Sequence, residues 1–436
     1  MARLPSTHLL GGAVLAGLAL LVACSGETPA PAEPAKEAKA EAAPVPPPPP
    51  AAVQEPLVGG PYPSLLLAQA QFVKGPDGKP KPGPALLTIW RKTPEGWKTV
   101  KVEDPDSNVF HKAYPYEGTI LTIGAEKAHL KDWTFKDGAW QAESLWNPKW
   151  DGKWNRLRDL EIGDVNGDGA PEFVIASHDV GVIGVATFKD GKASVVELDK
   201  TPDTFVHEIE IGDVDGDGKN EFFATPSGRN QSSGKSQPGQ VVMYKWDGTT
   251  YVRTVVDDLA GSHAKEILAV DLNGKGKSDL FAVIEAETEL VGGVAQIKNP
   301  VEIRHYKVGK DGTFTHEVAA TIQDKQTRFL VPGDFDGDGQ TELVAAAMKS
   351  GIWVLEQNKD GTWTSTNIET TSGGFEHAAV GADLDGDGKL ELYVASDDQS
   401  ELRSYVYDAA TKTYVKTVLG PIQDDAITWN ITSGSF

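Results

Sequence analysis

Five short stretches of the chain space oxygen-bearing side chains as a metal loop would. In IGDVDGDGKNEFF, Asp213, Asp215, Asp217 and Glu221 stand at loop positions one, three, five and nine, with Gly218 at six. Carboxylates this close repel one another, and a solvated turn could use Asn, Ser or Gly in their place. A hard cation answers the repulsion, because it takes six or seven oxygens from alternate side chains of a curled backbone and a main-chain carbonyl near position seven. The same spacing gives Asp164, Asn166, Asp168 and Glu172; Asp334, Asp336, Asp338 and Glu342; and Asp383, Asp385, Asp387 and Glu391. An EF-hand is a poor match, since it needs a Glu at position twelve between helices and here a β-rich run follows at once. The fifth copy keeps Asp271, Asn273 and Asp279 but has Lys275 at position five. That loop is expected to hold no metal, its ammonium partly replacing the cation.

A second column lies six residues before the first loop Asp: Arg158, His207, Lys265, Arg328 and His377. With 41 Lys and Arg and 9 His in 436 residues, five basic side chains in one column are far outside chance. The adjacent column holds Asp159, Glu208 and Glu266, which could neutralise part of the basic one. Two readings follow. The column is a set of internal ion pairs, or it is a site for an anion or a uronic acid.

The elements that position these residues repeat. The five loops recur roughly 50–60 residues apart, each followed by short β-rich runs and turns such as Lys189-Asp190-Gly191. Such periodicity points to a repeat architecture of four-stranded antiparallel sheets. Helical periodicity is absent, and 46 Gly with 28 Pro supply the turns. Residues 120–145 parallel residues 173–198 strand for strand, so they form a blade whose acidic loop has been trimmed, with His111 or Lys112 near the basic column. Upstream, 64–72, 85–92 and 96–103 supply only three strands, and Asp425 to Ile431 reads as the missing innermost one. Asp425 then takes the basic column's place in the closing strand. The expected fold is all-β: a seven-bladed β-propeller closed by a C-terminal strand that completes the first blade, which protects the edges an open array would expose. The basic column would begin each innermost strand, opposite the acidic loops, around one mouth of the central channel. The loops joining second and third strands would open there too, including 227–239 and the Glu285-Glu287-Glu289 loop.

The five loops resemble the FG-GAP/VCBS repeat of integrin α-chain propellers and many bacterial surface proteins, over roughly 64–436. The resemblance implies calcium in the four full loops, about four structural ions, with the side chains named above as ligands and the carbonyls of Ala170, Lys219, Gln340 and Lys389 completing the sets. The family more often has Asp at position nine, so the Glu of this chain implies a longer reach.

At the N-terminus, Arg3 precedes an apolar run from Leu9 to Ala23, long enough for a signal-peptide core and short for a membrane span. It ends in Leu21-Val22-Ala23-Cys24, which resembles the lipobox of bacterial lipoproteins and implies that Cys24, the one cysteine, is acylated after cleavage. The expected organisation is therefore a leader over 1–23, an anchored Cys24 with a Pro/Ala/Glu-rich tether over 24–56, and the propeller over 57–436. A net charge of −22 argues against nucleic acid, whose phosphates need clustered Lys and Arg. No nucleophile elbow, phosphate loop or zinc motif occurs. The leading expectation is a non-catalytic, monomeric, calcium-stabilised propeller on a bacterial envelope, outer membrane favoured, binding a protein or glycan on the channel-mouth face and touching the membrane only through its lipid. The alternative is a polysaccharide lyase or related carbohydrate-active enzyme in which His207 and His377 supply the base and Arg158 and Arg328 clamp uronates.

Overall fold

Alternate side chains of single strands belong to different cores, and this dictates the architecture. Phe222 packs with Val174 and Tyr244, whereas Phe223, its neighbour in sequence, packs with Ile267 and Leu280 of the next repeat. A strand buried on both faces reads as a continuous apolar run, as in Glu172–Ser177 and Glu391–Ser396. Each sheet therefore needs a neighbour on both sides, and only a closed ring satisfies all of them.

The computed structural model describes residues 61–150, 155–189 and 192–436. The leader, Cys24 and the tether lie outside the described residues. Seven four-stranded antiparallel sheets surround a central channel. From the inside outward, blade 1 has Ala426–Ser435, Pro63–Lys74, Pro80–Thr93 and Gly96–Asp104. The innermost strands of blades 2 to 7 are Phe110–Tyr116, Leu157–Gly163, Thr204–Gly212, Ala264–Val270, Thr327–Gly333 and Ala379–Ala382. Blade 5 adds a hairpin, Glu287–Val291 with Val294–Asn299.

Seven large apolar clusters occupy the seven blade interfaces, from Leu66, Ile89, Phe110 and Ile120 between blades 1 and 2 to Leu65, Trp90, Leu384 and Tyr393 between blades 7 and 1. The C-terminal strand completes blade 1 as expected, pairing Leu66 with Thr432 and Ser64 with Gly434. Tyr62 and Phe436 exchange backbone hydrogen bonds of 2.9 and 3.1 Å to finish the seam. Blade 2 replaces the acidic loop with a tight turn whose Glu117 and Gly118 both have positive φ.

Candidate functional site

The acidic loops form one rim of the ring. In blade 4 the backbone N–H groups of Gly216 and Gly218 donate to the two oxygens of Asp213 at 2.7 and 2.8 Å, and both glycines take the positive φ that the curl requires. The loops of blades 3, 6 and 7 repeat this with Asp164, Asp334 and Asp383. The position-nine Glu reaches back to the N–H of position two, as Glu342 does to Phe335 at 2.8 Å. In blades 6 and 7 all four carboxylates bring an oxygen within 4.8 Å of one another, and so do Asp213, Asp215 and Glu221 in blade 4. Burial, then repulsion from Asp336 and Asp334, pushes the Glu342 carboxyl up to about 7. Burial likewise raises Glu172 and Glu391. An all-oxygen set crowded this closely fits a calcium-sized ion, whose charge would remove the repulsion. In blade 3 the Asn166 amide nitrogen lies 2.7 Å from Glu172 and 3.3 Å from Asp168; a half-turn of that amide presents its oxygen instead.

The remaining two loops differ. In blade 4 the Lys245 ammonium contacts Asp215 and lies 2.8 Å from Asp217 and 2.9 Å from Glu221. In blade 5, Asp271 accepts backbone hydrogen bonds and His305 takes Asp279 at 2.9 Å. Lys275 forms no ion pair with the loop carboxylates among the described residues, so His305 and backbone N–H groups, rather than that ammonium, meet the charge.

The basic column owes its position to β-bulges. The pairing of innermost with second strand slips between Phe110 and Lys112, Leu157 and Asp159, Val206 and Ile209, Ala264 and Glu266, and Thr327 and Phe329. The skipped residues include His111, Arg158, His207, Lys265 and Arg328, each re-aimed by its bulge. The trimmed blade thus contributes His111. In the closing strand the slip falls between Ala68 and Gln69 and skips Trp429, so Trp429 and not Asp425 takes the seventh place. Blade 7 presents His377 just before its strand, at φ 58°.

These side chains are buried rather than displayed around an open mouth: His207 and His377 expose none of their surface, Lys265 3 % and Arg158 and Arg328 6 % each. Arg328 donates to Glu285 at 3.1 Å and pairs with Glu376; Arg158 pairs with Glu208 at 3.0 Å and lies 3.7 Å from Glu376. Burial opposes the Arg328 charge, but Glu376 and Glu285 outweigh it and hold the guanidinium above its usual range. His207 shares a 2.7 Å hydrogen bond with Ser227 and a 3.0 Å one with Lys265. Burial and then Arg328 bring the Lys265 ammonium down to about 7. His111, His178, His207 and His263 form an arc with ring centres 6.3, 5.6 and 5.2 Å apart, and burial holds all four well below the usual histidine range. Sequence reasoning missed Glu376 and His263, which lie outside both columns.

The channel holds a cavity of about 160 Å³, lined by His111, Arg158 and Trp429 of the column, by Lys112, Asp159, Glu161, Glu208, Glu210 and Glu266, and by apolar residues of blades 6 and 7. Lys112 Nζ bonds Asp159 at 2.9 Å and also pairs with Glu161. Glu208 and Glu161 keep 19 % and 21 % of their side chains open to the channel, yet the protein wall disfavours charge, and burial raises Glu208, Glu210 and Glu266 well above the usual carboxylate range. The alternation D-L-E and E-I-E in two innermost strands was the signal for Glu161 and Glu210.

On the face opposite the acidic rim, the 227–239 insertion of blade 4 packs on the blade 5 hairpin. Ser236 N–H donates to Thr288 Oγ1 at 3.0 Å, and Thr288 Oγ1–H donates to the Gly234 carbonyl at 2.7 Å. The hairpin exposes Leu290, Val291, Val294 and Ile297, Val294 by 64 %.

The FG-GAP-like repeat family matches residues 334–394, the span from the blade 6 loop through the second strand of blade 7. The chain thus carries an FG-GAP-like repeat within a seven-bladed propeller. No curated protein matches it in sequence. Among solved structures it is similar to a proposed 6-phosphogluconolactonase from Bacteroides fragilis NCTC 9343 at 16% identity, covering 87% of this chain and 100% of that one with a TM-score of 0.54. It is similar to the periplasmic gluconolactonase of Pseudomonas aeruginosa at 12% identity, covering 85% and 99% with a TM-score of 0.51. An apocarotenoid oxygenase of Synechocystis is similar at 11% identity, covering 86% and 93% with a TM-score of 0.52. At these identities the likeness is one of fold.

Proposed function

We propose that the chain is a non-catalytic, calcium-stabilised binding propeller, held on a bacterial envelope through Cys24 and its tether, and that its partner docks on the face carrying the two insertions. The observation that carries this reading is the fate of the basic column. A lyase base must reach the substrate, and His207 and His377 have no exposed surface, while Arg158 is paired with Glu208 and Arg328 with the buried Glu376. The calcium ions would be held by the loops of the opposite rim, where they neutralise carboxylates and take no part in chemistry.

The exposed tip of the ridge is aliphatic. Leu290, Val291, Val294 and Ile297 lack the aromatic platform on which sugars stack, which favours a protein partner over a glycan. The test is photo-crosslinking from position 294 in the lipid-anchored chain, on cells, with the double variant Leu290→Asp, Ile297→Asp, carrying the same crosslinker, as control. Crosslinks to one envelope protein, lost in the control, support the reading. Retention on a glycan array that survives the double variant would move the site off the ridge. Ultraviolet-absorbing unsaturated product from uronate polymers would overturn the non-catalytic reading.

A further inference from the structure

Cross-strand neighbours in an antiparallel pair project to the same side of the sheet, so the residue opposite loop position nine can reach into the loop. Continuing the observed registers by one residue, that neighbour is Thr187 in blade 3, Lys245 in blade 4, Lys307 in blade 5, Glu356 in blade 6 and Val406 in blade 7. Lysine occurs there only in blades 4 and 5. In blade 5 the loop has lost its position-five acid, and Lys307 pairs outward with Glu317 at 2.8 Å. In blade 4 the loop keeps all four acids, and Lys245 stands among three of them. Glu221 is 1 % exposed, and its Oε1 has no hydrogen-bond partner although the ammonium lies 2.9 Å away. A buried oxygen so placed is aimed at a cation within the loop. The blade 7 loop has a lysine nearby, but Lys92 comes from blade 1 and, among the described residues, its one ion pair with the loop is to Asp385, at 3.6 Å.

We infer that Lys245 is a tethered cation occupying the blade 4 loop, so that the chain takes three calcium ions, in blades 3, 6 and 7, and not four. This rests on the calcium reading of the rim. A divalent ion entering blade 4 would have to lift an ammonium out of contact with three carboxylates, whereas in blade 3 the neighbour is an exposed, uncharged threonine. Blades 4 and 5 are also the two that carry the insertions. Their loops draw counter-charge and hydrogen bonds from the chain's own side chains and backbone, so the ridge depends less on calcium than the other blades do.

The experiment is calcium stoichiometry on the full chain, by equilibrium dialysis and elemental analysis, for the wild type, Lys245→Met and Thr187→Lys, with melting curves in calcium and in chelator. Three ions are expected in the wild type, four in Lys245→Met and two in Thr187→Lys. Lys245→Met should also melt lower than wild type in chelator and gain more from added calcium. Four equivalent ions in the wild type, or no gain in Lys245→Met, would overturn the role of Lys245 while leaving the calcium reading intact. No ion in any of the three proteins would overturn both.

Discussion

Glu376 is the residue whose loss should tell most about the basic ring. It is 1 % exposed, pairs with Arg328 of blade 6 and faces Arg158 of blade 3 at 3.7 Å. In Glu376→Ala each guanidinium keeps one carboxylate, Glu285 at 3.1 Å and Glu208 at 3.0 Å, but two cations share a buried space with one negative charge fewer. Breaking a buried pair from one side costs ~3–5 kcal/mol, and the retained partners place this case near the lower end. With an unfolding entropy of ~2.1 cal/mol/K per residue, a propeller of roughly 375 residues changes by ~0.8 kcal/mol per degree, so a loss of ~3 kcal/mol lowers Tm by ~4 °C. Calorimetry at pH 7 in saturating calcium reads this directly. Glu376→Gln keeps a hydrogen bond and should lose less, ~1–2 kcal/mol. The double variant Glu376→Ala, Arg328→Met should recover part of the loss, because it removes the stranded cation with its partner. A Glu376→Ala melt within ~1 °C of wild type would refute the reasoning, since it would mean that the ring charges are solvated and not structural.

Three further outcomes follow from the same contacts. Chelation should lower the melt: a site at 100 times its Kd contributes ~2.7 kcal/mol, so three such sites are worth ~8 kcal/mol and ~10 °C, and an unchanged melt after verified metal removal would refute the rim assignment. Burial, with repulsion from Asp398 and Glu376, raises the Asp397 carboxyl from 3.8 to about 7 while it accepts from Thr428 N–H at 2.8 Å and Thr428 Oγ1–H at 2.9 Å. The folded state therefore binds the proton more tightly than the unfolded one; the contribution is full below pH ~4 and lost as pH rises through ~7, and Asp397→Asn should flatten that slope by ~3–4 kcal/mol in urea melts at pH 4 and 8. Deleting residues 426–436 leaves Pro63–Lys74 an unpaired edge and should convert a monodisperse species to dimers or aggregates in light scattering; a folded monomer would show that the seam does not hold the ring.

The sequence made legible whatever repeats in residue type at fixed spacing. The acidic loops, the blades and the closing strand follow from side-chain types that only a curled oxygen shell or a doubly buried strand requires. The basic column was visible as a column, but its cause was not. A bulge is a property of two paired strands, so the slip that puts Trp429 in place of Asp425 appears only when Ala68 and Gln69 are set against their partners. Lys245 was hidden for the same reason, since the 23 residues that separate it from Glu221 include the insertion that sets this blade apart, and no local pattern brings them together. His305 beside Asp279 and Glu376 between two arginines are likewise contacts between distant segments. Charge balance explains why such partners recur at every departure from the repeat. Each loop or column crowds like charges that the unfolded chain would solvate, and folding requires a counter-charge from an ion or from another strand. Where the repeat keeps its oxygen set with a neutral or acidic cross-strand neighbour, an ion can supply that charge; where the neighbour is Lys245, the chain supplies it itself.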